Sequence, residues 1–171
     1  MSFEAGAYKL LITPAWPGAT EFEAGSTEAG FELSIELLGE PISIDELAKT
    51  VVDGIEGGVA VEFELVAMEY SAQLLAAILY PYVSKPDGSD CSHVGLGKVG
   101  TLWSTNAFKA VLVPILVPGK KKTFWKCRCM EPVDSLLSGS KPRKIPFRCM
   151  ALPDRSKPPE QAFMKEERVT R

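Results

Sequence analysis

The chain predicts a mainly β fold, an antiparallel β-sandwich or barrel with one flanking α-helix at about residues 69–80 and extended loops and arms. Three observations lead there. "FELSIELL" and "VAVEFELVA" alternate apolar and polar residues with the period of two that a half-buried strand requires. "MEYSAQLLAAILYPY" is the one stretch with helical spacing and no internal Gly or Pro before Pro81. Strand-like segments stand on both sides of it, so the order is β-rich, helix, β-rich rather than repeated strand–helix units.

Taken in order, "AYKLLIT" (7–13) is a short strand closed by Pro14 and the turn residues "WPG". Residues 18–30, rich in Gly, Ala, Thr and Glu, read as loop. The next strand places Phe31, Leu33, Ile35 and Leu37 on one face and Glu32, Ser34 and Glu36 on the other. "DELAKTV" suits a turn or two of helix, cut short by β-branched neighbours and by Gly54, Gly57 and Gly58. Asp45, Glu46 and Asp53 then belong to connecting segments. In the strand 59–67, Val59, Val61, Phe63 and Leu65 point inward and Glu62 and Glu64 outward.

After the helix, residues 84–106 form a long polar, Gly-rich loop, of the length that tends to be functional or mobile. "FKAVLVPILVP" (108–118) and "KTFWKCRCM" (122–130) read as a hairpin around "GKK", and Pro114 argues an edge position or a bulge. "RKIPFRCMAL" (143–152) is the last strand. A single β-rich domain over 1–152 is expected, followed by a surface arm or disordered tail over 153–171.

A chain of 171 residues, 46% apolar and 24% charged, has the size and balance of one globular domain. The N-terminal stretch has no basic region followed by an apolar segment, and "AVLVPILVP" is about half a membrane span. A cytosolic product with no membrane partner is the expectation. Four cysteines are too few for a disulfide scaffold of this length, so reduced thiols are expected.

The net charge of −3 conceals a division. Residues 1–90 hold 16 acidic and three basic side chains and residues 91–171 hold six and 16, which together make the 22 acids and 19 bases of the chain. A nucleic-acid reader is expected to be basic overall. An acidic chain with a basic half suits complementary surfaces on neighbouring copies better.

No motif carries catalysis. "GLGKVG" (95–100) fits G-x-G-x-x-G but lacks the strand before it, the helix after it and the downstream acid of a dinucleotide site. Cys91, His93, Cys127, Cys129 and Cys149 have no recognised zinc spacing, and thiols two apart on a strand are commonly small core residues. Glu32, Glu36, Glu62 and Glu64 read as solvated strand faces, which also suit a surface along which a polyanion passes without sticking. No catalytic residue, cofactor or metal is expected. Lys120, Lys121 and Lys122, read at a turn beside Phe124 and Trp125, are candidates for docking on an acidic neighbour, together with Asp45 and Glu46.

The segment 25–79 resembles the tail tube proteins of tailed bacteriophages. The residues that carry the likeness are Gly25, Thr27 and Gly30 before a strand, Ile42, Ile44, Asp45 and Glu46 in an acidic turn, Asp53 with Gly57 or Gly58 before the strand Val59 to Leu65, and Glu69 leading into the helix. The resemblance covers about residues 7–80. It implies a non-enzymatic structural subunit of the virion tail, assembled in the host cytoplasm as a homo-oligomer. On that resemblance six copies would form a ring and stacked rings a hollow tube, through which DNA would pass without specific binding. Sheath, baseplate or terminator proteins would be further partners. The alternatives are a non-polymerising ring of a baseplate, neck or related injection apparatus, a small β-barrel enzyme or metal-binding module using Cys91, His93, Cys127 and Cys129, and a single-stranded nucleic-acid binder using "KKKTFWKCR", with Trp125 as a stacking residue.

Overall fold

The computed structural model describes residues 2–3, 6–28, 30–44, 50–68, 71–83, 101–116, 118–130 and 145–169. Nine strands and one α-helix follow in the order β1 (Ser2–Phe3), β2 (Tyr8–Thr13), β3 (Phe22–Ser26), β4 (Glu32–Ile44), β5 (Thr50–Ala67), α1 (Ala72–Leu79), β6 (Phe108–Pro114), β7 (Gly119–Cys129), β8 (Ile145–Ala151) and β9 (Met164–Val169). The mainly β fold with one flanking helix is therefore the observed one. No helix among the described residues is long and apolar enough to cross a membrane.

All pairings are antiparallel, in the order β1-β4-β5-β8-β7-β6-β2-β3, with β9 on β7. The two ends of this order meet. Thr27, one residue past β3, bridges to Ala67 at the end of β5. Glu28 N–H donates to Val66 O at 3.0 Å and Met68 N–H to Ser26 O at 2.9 Å. Strands β5, β8, β7, β6, β2 and β3 thus close into a barrel, which removes the exposed edges an open sheet would keep there. Thr27 is 2% exposed, and its Oγ1 accepts from Tyr8 N–H at 3.0 Å while its own N–H donates to Tyr8 O at 2.8 Å. One residue therefore joins three strands.

The barrel fills from alternating positions. Tyr8, Leu10 and Ile12 of β2, Val61, Phe63 and Leu65 of β5, Phe108, Ala110 and Leu112 of β6 and Ile145, Phe147 and Cys149 of β8 share one core. Phe63 stacks on Phe124 with centroids 4.3 Å apart, and Tyr8 meets Phe31 edge-on at 5.3 Å. Helix α1 adds Leu74, Ala76, Ala77 and Ile78 to the same core. Ser71 caps its N-terminus, with Oγ accepting from Leu74 N–H at 3.0 Å. At the other end the carbonyl of Tyr80 accepts from the Arg128 guanidinium, a cation where the helix dipole favours one.

β7 is the spine of the barrel wall. β6 occupies one edge, and the other edge is shared, by β9 over Gly119 to Phe124 and by β8 over Cys127 to Cys129. The change of partner coincides with a bulge, since Phe108 faces Cys127 but Ala110 faces Phe124. Pro114 is neither on an edge strand nor in a bulge. It ends the interior strand β6, past the last β7 pairing at Leu112, and because Ile115 N–H turns toward Ala7 O (3.1 Å), the proline nitrogen faces the side without a partner. Gly119 opens β7 because a Cβ there would lie 2.7 Å from that of Pro114.

Several expectations change. Residues 22–26, read as loop, are β3; their side of the ladder is held by backbone and by Thr27, which periodicity does not register. The C-terminal segment is not a disordered tail over its described length. Met164–Val169 is a strand, and the stretch before it is tied to β7 through Trp125 Nε1 donating to Gln161 O at 2.9 Å and Lys126 pairing with Asp154 at 3.5 Å. The expected short helix lies mostly at 45–49, outside the described residues, as does 84–100 of the long loop.

If Thr27 closes the barrel, Thr27→Val should lower stability by about 1–3 kcal/mol, because the isosteric change leaves Tyr8 N–H buried without its acceptor. Chemical denaturation with an unchanged m-value, and faster hydrogen exchange at Tyr8, are the expected readouts.

Candidate functional site

β5 is 18 residues long, yet β8 pairs with only Val61 to Ala67 of it. β1 likewise covers β4 only at Glu32 and Leu33. Beyond those points β4 and β5 pair with each other alone, through Ile44 opposite Thr50. Among the described residues, the outer part of this hairpin has no third strand on either edge.

Its local form explains the glycines of the sequence. Gly58 has φ +126°, a conformation side chains rarely adopt, and Gly57 brings its α-carbon so close to Leu38 that a Cβ would lie 3.1 Å from the carbonyl oxygen. Together they build the bulge where Leu38 pairs with Gly58 and Gly39 with Glu56. Asp53 and Gly54 make no turn: they lie inside β5, opposite Ile42 and Pro41. Asp53 is thus a strand residue, not part of a connection. The predicted assembly residues Asp45 and Glu46 lie outside the described residues.

The hairpin has two unlike faces. Phe31, Leu33, Val61 and Phe63 are buried where the barrel covers them. The same face continues outward through Ile35, opposite Val61, and Leu37, opposite Val59, and there exposure rises to 57% and 81%. Alternation gave Ile35 and Leu37 the correct face, but that face leaves the barrel. The other face is acidic. Glu32 stands directly opposite Glu64, an unfavourable like-charge pair, and Ser34 opposite Glu62. Arg148 of β8 lies opposite Glu64 and ion-pairs with Glu62, Nε to Oε2 at 2.9 Å. Around these groups is a shallow cleft of about 170 Å³ lined by Glu32, Ser34, Glu62, Phe63, Glu64 and Arg148.

The lysines read as a turn are in strand β7, and their partners are in the same chain. Lys120 and Lys122 both meet Glu166 of β9, and Lys121 meets Glu167 at 3.9 Å. Lys122 is 3% exposed, its ammonium 5.4 Å from the centre of the Phe31 ring and ion-paired with Glu166. A buried ammonium is retained only with such compensation. Lys120, followed by Lys122, holds the Glu166 carboxyl below its usual range; Lys165 does the same for the exposed Glu167. Glu166 and Glu167 are the members of this cluster that sequence reasoning missed. No apolar alternation marks them, since "MKEERV" is four consecutive charges between Met164 and Val169 in a segment read as a tail.

Trp125, the proposed stacking residue, carries Lys157 Nζ 4.5 Å above its ring and spends its N–H on Gln161 O. Cys127, Cys129 and Cys149 lie close together in the barrel wall; Cys91 and His93 fall outside the described residues. Among the described residues no group of three or more His, Cys, Asp or Glu side chains is arranged to hold a metal ion. No protein-family model matches the chain, and no curated protein matches it.

Lowered in the folded state, the Glu166 pKa makes its contribution fully present above the unfolded glutamate value of about 4.5 and lost as pH falls through the folded value. Glu166→Gln should cost about 2 kcal/mol at pH 7 by leaving Lys122 without its carboxylate, and the gap to the parent should narrow on acidification from pH 5 to pH 3. Thermal melts of both proteins across that interval check it.

Proposed function

We propose that the protein is a non-enzymatic structural subunit that assembles with copies of itself, and that its assembly is the tube of a phage tail: rings, six copies each, stacked around a channel for DNA. The observation that carries this reading is the outer part of the β4–β5 hairpin, which beyond Val61 has no third strand on either edge among the described residues and exposes Leu37, with Ile35 exposed where it begins. A two-stranded ribbon is marginal by itself, and open edges with apolar side chains invite another chain. A second copy is the occupant that a symmetric assembly supplies at every position. The tail-tube likeness of residues 7–80 gives the assembly its form. The acidic face formed by Glu32, Glu62 and Glu64 suits a wall past which DNA moves, because carboxylates repel phosphates.

Electron microscopy and light scattering of the purified protein over a range of concentration and salt test the reading. Rings and tubes are expected; rings that never stack point to the baseplate or neck alternative, and a strict monomer under every condition sinks the proposal. Leu37→Asp should abolish assembly while leaving the circular dichroism and melting temperature of the monomer nearly unchanged, since Leu37 is 81% exposed in the single chain.

A further inference from the structure

In the β7–β8 ladder Cys127 stands opposite Ala151, Arg128 opposite Met150 and Cys129 opposite Cys149. Met130 N–H donates to Arg148 O at 3.0 Å, and Leu152 N–H to Lys126 O at 2.7 Å. Hydrogen-bonded and non-hydrogen-bonded pairs alternate along an antiparallel ladder, so the positions 130/148, 128/150 and 126/152 are the bonded ones. Cys129 and Cys149 are therefore a non-hydrogen-bonded pair, of the kind whose Cα atoms lie about 4.5 Å apart with side chains drawn together on one face. That separation is within the roughly 4.4–6.8 Å that a disulfide spans. Cys127 shares the face but sits diagonal to Cys149, at about 7–8 Å, outside that span.

The two thiols differ in access. Cys149 is buried and Cys129 half-buried, and neither is in a disulfide here. Burial, and after it the hydrogen-bond contact with Cys129, pushes the Cys149 thiol well above its ordinary value.

We propose that Cys129 and Cys149 form a redox-sensitive pair that closes into a cross-strand disulfide when the protein meets a small disulfide oxidant such as oxidised glutathione. Cys129, the more accessible sulfur, loses its proton and attacks one sulfur of the oxidant; that S–S bond breaks and one small thiol departs. Cys149 then loses its proton and attacks the Cys129 sulfur, expelling the second small thiol. Two electrons pass from the cysteine pair to the oxidant, and the two protons end on the released thiols. The second step is the slow one, because burial disfavours the Cys149 thiolate. The new bond would staple β7 to β8 just past the bulge where β7 changes partners.

The test exposes the full-length protein, without denaturant, to oxidised glutathione and maps its peptides by mass spectrometry. Expected are a loss of about 2 Da, a single link between Cys129 and Cys149, and a rise in melting temperature of about 5–10 °C that dithiothreitol reverses. Cys129→Ser should remove both link and shift, whereas Cys127→Ser and Cys91→Ser keep them. A link between any other two cysteines, a glutathione adduct that stays on Cys129, or no change in mass overturns the proposal. Mapping the parent chain decides the matter even if a variant fails to fold.

Discussion

Closure of the sheet at Thr27 and Ala67 is the constraint from which the rest follows. Once the end of β3 bridges β5 at Ala67, the barrel wall can use only the last part of β5, where β8 pairs with Val61 to Ala67. An 18-residue strand in a wall that uses this little must project, and it takes its hairpin partner β4 with it. The protruding ribbon is thus a consequence of barrel geometry. The same closure buries Thr27, which needs Tyr8 to satisfy it, and Tyr8 in turn positions the Phe31 ring over which the ammonium of Lys122 lies.

The charge division resolves unevenly. The lysines of β7 find Glu166 and Glu167, and Lys126 finds Asp154, all within the basic half of the sequence. Contacts between the halves include Lys109 with Glu21 and Arg148 with Glu62. The outer face of β4 and β5 keeps a surplus of carboxylate, with Glu32 held opposite Glu64 in spite of the repulsion. A fold that tolerates a like-charge pair in register holds it by the burial of Phe63 and Leu65 on the opposite face, since sliding the strand by one residue would turn those side chains to solvent.

Much of the fold was legible because its strands obey a strict period of two: Tyr8 to Thr13, Val61 to Ala67 and Ile145 to Ala151 bury the residues alternation selects, and β4 does so at Leu33. Where reading failed, the cause lay in something period does not encode. β3 is Gly- and Ala-rich, and Thr27 rather than an apolar stripe secures the chain beside it. β9 is charged at nearly every position because its job is to pair with lysines, so composition made it look like a tail. The site was half legible. Ile35 and Leu37 were assigned the correct face, but only tertiary pairing shows that β1 ends at Leu33 and β8 at Val61, level with Ile35, and this turns two expected core residues into exposed ones.

That difference alters which force should drive self-association. From sequence, the segregation of charge was the reason to think of complementary copies, yet the lysines that would have docked are already paired, and exposed ion pairs contribute only about 0–1 kcal/mol each. Burying an exposed Leu or Ile is worth about 1.5–3 kcal/mol. Each hairpin offers both Ile35 and Leu37, together with backbone groups on the two edges of its outer part that carry no third strand among the described residues, so in the proposed ring the apolar and ladder contributions would recur at every copy. In the proposed assembly charge would then have the lesser task of orienting encounters and disfavouring wrong pairings, while the apolar face would supply the affinity. On this balance association should persist at high salt, where screening would dissolve an assembly held by its lysines.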